Sequence, residues 1–88
     1  MPTNELYIDL TIGMVRDELE HAMDLWPPMQ SAHEGYAVIL EELDELWEEI
    51  KRNQNQRDLG KMRSEAIQVA AMAARFVADL LLEKARAK

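Results

Sequence analysis

Six carboxylates, Glu41, Glu42, Asp44, Glu45, Glu48 and Glu49, fall within residues 41–49 of this 88-residue chain. At 100° per residue, Glu41, Asp44 and Glu48 lie opposite the apolar side of a helix, where solvation accounts for them. Glu42 differs, because it sits between the positions of Val38 and Leu46 at the shoulder of that side. Glu45 and Glu49 follow it at i+3 and i+7, so the three can converge. Like charges at such spacings repel by about 0.2–0.5 kcal/mol per pair, and only Lys51 and Arg52 offset them locally. A divalent cation would turn that repulsion into coordination, since Mg²⁺ takes oxygen ligands and keeps several waters.

A second set of polar groups lies further along. Glu65, Gln68, Met72, Arg75 and Asp79 step by three and four residues and share one line of a helix. If Glu65 and Gln68 face Glu42 and Glu45, three carboxylates and an amide oxygen enclose one cavity. The plainer alternative is a wet acidic face and an exposed polar edge. Arg75 either reaches a phosphate oxygen or pairs with Asp79 at i+4, and Lys61 and Arg63 are further candidate cations.

Three helices must position these groups. Ile8, Ile12, Val15, Leu19, Ala22, Met23 and Trp26 form one apolar stripe and predict a helix over about 5–26, ended by Pro27 and Pro28. Ser31 and Glu34 have the spacing of a capping box, predicting a second helix from Ala32 to about Asn53. Its stripe is Tyr36, Ile39, Leu40, Leu43, Leu46, Trp47 and Ile50. Asp58 is the expected N-cap of a third helix lasting to about Arg86, with the final residues 84–88 fraying. Strand signals are absent, so the fold class is all-α, one domain over 1–88. Between Ala66 and Ala78 only Gln68 and Arg75 interrupt an apolar run. A helix apolar on most faces needs cover on most faces, which predicts an oligomeric helical bundle, a homodimer or homotetramer.

Composition excludes several classes. The net charge of −7 argues against sequence-independent binding of nucleic acid polymers, whose affinity comes from Lys and Arg on phosphates. Without cysteine there is neither a disulfide nor a thiolate metal site. No apolar run reaches the ~20 residues of a membrane span, and the start of the chain lacks the pattern of a signal peptide, so a cytoplasmic location is expected. His21 and His33 are read as surface or capping residues. Trp26 and Trp47 are read as core or subunit interface, with stacking on a base as the alternative, and the methionines as gap-filling core.

The pairing of "EELDE" (41–45) with "EAIQ" (65–68) resembles the two-helix motif of the MazG-like all-α nucleoside triphosphate pyrophosphohydrolases, Glu-Glu-x-x-Glu followed after a spacer by Glu-x-x-Asp. The resemblance covers roughly residues 31–80. It implies hydrolysis of a nucleoside triphosphate, or a related nucleotide, to the monophosphate and pyrophosphate, with Mg²⁺ (or Mn²⁺) and joined subunits. On matching positions Glu42, Glu45 and Glu65 would be metal ligands, with Gln68 standing where the family has Asp. Glu41 or Glu45 would accept the proton of the attacking water, and Arg75 and Lys61 would meet the phosphates. An amide oxygen at Gln68 can coordinate but brings no charge. The rival reading is accordingly an inactive helical assembly or regulatory protein of the same fold; a phosphoribosyl-ATP pyrophosphatase is a third.

Overall fold

A computed structural model describes residues 3–82, which form three helices and, among the described residues, no strand. Helix α1 runs Asn4–Leu25, α2 Ala32–Ile50 and α3 Leu59–Phe76. Each begins at a residue whose side chain accepts a hydrogen bond from the third residue beyond it: Thr3 from Leu6, Ser31 from Glu34, Asp58 from Lys61. These caps satisfy amide groups that the first helical turn leaves without partners. The reciprocal half of the α2 capping box is displaced by one residue, because the Glu34 carboxylate accepts from the Gln30 amide.

The helix ends differ from the expected ones. Helix α2 stops at Ile50, three residues early, and a 3₁₀ turn follows at Gln54–Gln56. The Arg57 guanidinium donates twice to the Ile50 carbonyl, at 3.0 and 2.7 Å, supplying the partner that a continued helix would have provided. Helix α3 passes into a π turn over Val77–Leu81, and Leu82 leaves helical geometry. The described helix therefore ends five residues before Arg86, and the expected fraying at 84–88 lies outside the described residues.

Helix α3 is central, packed against both α1 and α2. Ala22, Met29, Ala71 and Met72 are buried, ringed by the partly buried Val15, Leu19, Val38, Ile39, Phe76 and Leu80. Alanines at the crossing let the backbones approach, and Gly35 carries this furthest. A Cβ there would lie 2.5 Å from Phe76 Cδ2 and 3.1 Å from Met29 Sδ. Met29 and Met72 fill gaps as expected, but Met14 and Met23 stay exposed.

The apolar stripes do not all face inward. On α1, Val15, Leu19 and Ala22 pack on the core, whereas Ile8, Ile12, Met23 and Trp26 are exposed. On α2 the line toward α3 is Gly35, Val38, Ile39, Glu42, Leu46 and Glu49, all buried or half-buried. Tyr36, Leu40, Leu43 and Trp47, four of the seven stripe residues, are exposed, while Ile50 is half-buried. The rotation of α2 follows from Gly35, whose missing side chain admits the Phe76 ring and turns that side of the helix onto α3. The Cα radius of gyration, 14.9 Å, exceeds the ~12 Å typical of a compact chain of this length. No described helix is long and apolar enough to cross a membrane.

Candidate metal centre and adjoining cavity

The inward rotation of α2 brings the carboxylates of two helices together. Glu42, Glu45 and Glu65 each place one oxygen so that all three lie within 4.8 Å of one another. Octahedral Mg²⁺, with metal–oxygen distances of 2.0–2.1 Å, spaces its ligands about 3 Å apart at adjacent positions and about 4 Å at opposite ones. The all-oxygen donor set and its spacing therefore fit a small divalent cation after minor side-chain adjustment. Glu42 and Glu65 are half-buried and Glu45 exposed, leaving one side of the cluster to water.

Electrostatics at the cluster are unfavourable without a cation. Burial raises the Glu42 carboxyl above its usual 4.5, and Glu45, Glu65, Glu41 and Glu18 push it the same way. Burial also raises Glu65, followed by the charge of Glu45 and a hydrogen bond with it; Lys61 opposes the shift and Glu49 adds to it.

Glu49 is a member that motif spacing placed nearby without giving it a role. It is 4 % exposed, and its two oxygens meet Arg52 Nε at 3.2 Å and Lys61 Nζ at 3.3 Å. Lys61 is thus engaged by Glu49, with its side chain still half exposed beside Glu65. Glu41 is exposed, as are Asp44 and Glu48, the latter paired with Lys51. Gln68 is half-buried on the α3 line between Glu65 and Met72. That line points inward along its length: it is no exposed edge.

Beside the cluster lies a cavity of about 380 Å³ between the α1–α2 connector and α2. Trp26, Pro27 and Met29 form one wall, Val38 and Met72 the apolar floor, and Glu34, Glu41, Glu42 and Arg75 the polar part of the lining. Trp26, 64 % exposed, is part of this wall and not of the core. Arg75 is committed elsewhere. Its Nε donates to Asp79 Oδ2 at 2.9 Å, Nη1 to the Ala22 carbonyl at 3.2 Å, and Nη2 to the carbonyls of Trp26 and Pro27 at 2.6 and 2.7 Å. Asp79 Oδ2 also accepts from the Met29 amide at 2.9 Å.

Of the two sequence alternatives for Arg75, the structure has the pairing with Asp79. The reason is local: Pro27 and Pro28 break α1, and the Arg75 fork meets the Trp26 and Pro27 carbonyls beyond its end together with the Ala22 carbonyl, which also accepts from the Trp26 amide. In place of a phosphate, Arg75 meets the connector that walls the cavity and pins it. Sequence spacing identified the Arg75–Asp79 partners but could not reveal the three carbonyls, which lie about fifty residues away in the chain. His21 and His33 are exposed, as expected.

Comparison with family models, with curated proteins and with solved structures yields no match.

Proposed function

We infer that this chain is a Mg²⁺-dependent nucleotide pyrophosphohydrolase of MazG-like type, converting a nucleoside triphosphate or related nucleotide to the monophosphate and pyrophosphate. The observation that carries this reading is the convergence of Glu42, Glu45 and Glu65 from two helices, beside a cavity with an aromatic wall. Those three carboxylates would hold the ion, with the Gln68 amide oxygen as an uncharged neighbour. Bound there, Mg²⁺ (or Mn²⁺) supplies neutralisation of phosphate charge.

The remaining work falls to the chain. Water attacks the α-phosphorus in line, the bond to the bridging oxygen breaks, pyrophosphate departs, and the water's proton passes to Glu41 or Glu45. Glu41 lines the cavity and Glu45 belongs to the cluster, so each borders the place where that water would stand. Lys61, paired with Glu49 and with its side chain half exposed, is the cation offered to the departing pyrophosphate. Trp26 and Met29 offer an apolar surface on which a nucleobase can lie. Arg75 is left with a positioning role, through the connector. The working unit is a homo-oligomer, because the chain exposes apolar side chains on all three helices.

The test is pyrophosphate release from ordinary, deoxy and modified nucleoside triphosphates with Mg²⁺ or Mn²⁺. Turnover abolished by both Glu42→Gln and Glu65→Gln is the expected result. No turnover from folded protein with any nucleotide would overturn the reading and favour the inactive assembly protein, with Gln68 as the lost ligand.

A further inference from the structure

Two hollows border α2 through different residues. The open groove of about 540 Å³ beside Ile39, Ala73 and Phe76 is apolar but for His33, so it has little with which to choose between ligands. The cavity of about 380 Å³ is different, because Glu34, Glu41, Glu42 and Arg75 line it together with Trp26 and Met29. Its carboxylates are ordered along the helix. Glu42 is shared with the metal cluster, and Glu34, eight residues earlier, stands about 12 Å away along the helix axis.

Groups on the far side of the cluster set the direction in which a nucleotide would lie. One turn past Glu45, buried Glu49 holds Arg52 Nε at 3.2 Å and Lys61 Nζ at 3.3 Å, and both cations keep about half of their side chains exposed. Phosphates are drawn to the metal and to that end. The base is left to the cavity, against Trp26, with its outer edge toward Glu34. The distance from Glu42 to Glu34 is comparable to the span from the α-phosphate of a nucleotide to the outer edge of its base.

Glu34 is held in place for such a contact. Its amide donates to Ser31 Oγ and its Oε1 accepts from the Gln30 amide, which ties the side chain between the start of α2 and the connector. A carboxylate has about four lone-pair positions, and Gln30 occupies one. The donors nearby are engaged. Gln30 Nε2 donates to the Pro28 carbonyl and the Met29 amide to Asp79. Arg75 uses Nε, Nη1 and Nη2 on Asp79 and on the carbonyls of Ala22, Trp26 and Pro27. The Trp26 indole aside, this end of the cavity meets a base with acceptors.

Bases differ in what they show to a carboxylate. Guanine sets N1–H and its 2-amino group side by side, two parallel donors that match two carboxylate oxygens. Adenine and cytosine place a ring-nitrogen lone pair beside the amino group, and uracil and thymine flank a single N–H with carbonyls. Each of those lone pairs would face a carboxylate oxygen and repel it. We propose that Glu34 selects guanine nucleotides, accepting from N1–H and the 2-amino group of a base that lies against Trp26. This selection rests on the reading of the site as one that binds nucleotides.

Titration calorimetry of the full chain with GMP, IMP, AMP, CMP and UMP in Mg²⁺ tests it without turnover. GMP should bind roughly 5- to 150-fold more tightly than AMP, CMP or UMP, the discrimination of one good bidentate pair. IMP, which lacks only the 2-amino group, should fall between. Glu34→Gln keeps an oxygen for the Gln30 amide but turns one acceptor into a donor, so it should bring GMP down to the affinity of IMP and leave UMP no weaker. Should that variant fail to fold, the ratios measured on the native sequence decide. Equal binding of all five, or a Glu34→Gln loss shared equally among them, would overturn guanine selection while leaving the pyrophosphohydrolase reading intact. Guanine preference without turnover of any triphosphate would uphold the selection and remove the enzyme.

Discussion

Replacing glycine by alanine inside a helix ordinarily stabilises it by roughly 0.5–1 kcal/mol, because alanine has less backbone freedom to lose. Gly13 and Gly35 are both helical, with negative φ, so propensity alone gives the same sign for both. Their surroundings differ. Around a Cβ at Gly13 nothing lies within 4 Å, whereas at Gly35 the Cβ meets Phe76 Cδ2 at 2.5 Å and Cε2 at 2.8 Å. Contacts that close force the ring or the helix to move, and overpacking of this kind costs about 1–3 kcal/mol. The Phe76 ring borders the open groove and can yield part of the way, so the lower half of that range applies. Offset by the propensity gain of roughly 0.5–1 kcal/mol, Gly35→Ala should then destabilise by up to about 1.5 kcal/mol. With 1 kcal/mol equivalent to about 4–8 °C in a domain of this size, Tm should fall by up to about 12 °C. Gly13→Ala should raise Tm by about 2–8 °C on the same scale. Thermal melts by far-ultraviolet circular dichroism at one protein concentration measure both, and Phe76→Leu should remove most of the Gly35→Ala penalty in a double-mutant cycle. Equal signs at the two glycines, or a Gly35→Ala penalty that Phe76→Leu leaves intact, would refute the close approach of α2 to Phe76 as the cause.

Two further outcomes follow from buried charge. Arg75→Met takes the cationic partner from buried Asp79, which keeps its bond from the Met29 amide, and removes the guanidinium from the Trp26 and Pro27 carbonyls; breaking one partner of a buried pair costs about 3–5 kcal/mol, urea unfolding should show it, and a change below 1 kcal/mol would mean that the connector is not held by Arg75. Glu42 and Glu65 are raised above 4.5 by burial and by neighbouring carboxylates, so the folded chain keeps protons that the unfolded chain has already released. Their contribution to stability is fully present below the unfolded value and is lost as pH climbs through the raised folded values. In metal-free buffer Tm should therefore decline over that window more steeply for the native sequence than for Glu42→Gln/Glu65→Gln, and Mg²⁺ should restore Tm at neutral pH only for the former; parallel pH profiles would count against the clustering of these carboxylates.

Local chemistry alone was enough for the three helices, their breaks and two of their caps: Pro27 and Pro28, Ser31 and Asp58 act within a few residues of themselves. The candidate ligands were legible for a similar reason, since helical periodicity puts Glu42 in line with Glu45 and Glu65 in line with Gln68 regardless of what surrounds them. Periodicity identifies a side of a helix, however, and not what that side faces. The apolar stripe of α2 centred on Leu43 and Ile50, and the structure leaves Ile50 half-buried but exposes Leu43 and turns Gly35, Glu42, Leu46 and Glu49 toward α3. That rotation depends on a close contact with Phe76, more than forty residues away. The fate of Arg75 was hidden in the same manner, because its acceptors are carbonyls at and just beyond the end of α1, some fifty residues earlier. Residue types and spacing determined which groups could converge; only the packing of α2 on α3 decided that the carboxylates face the cleft while Tyr36, Leu40, Leu43 and Trp47 face outward, because burial is settled by contacts between distant segments.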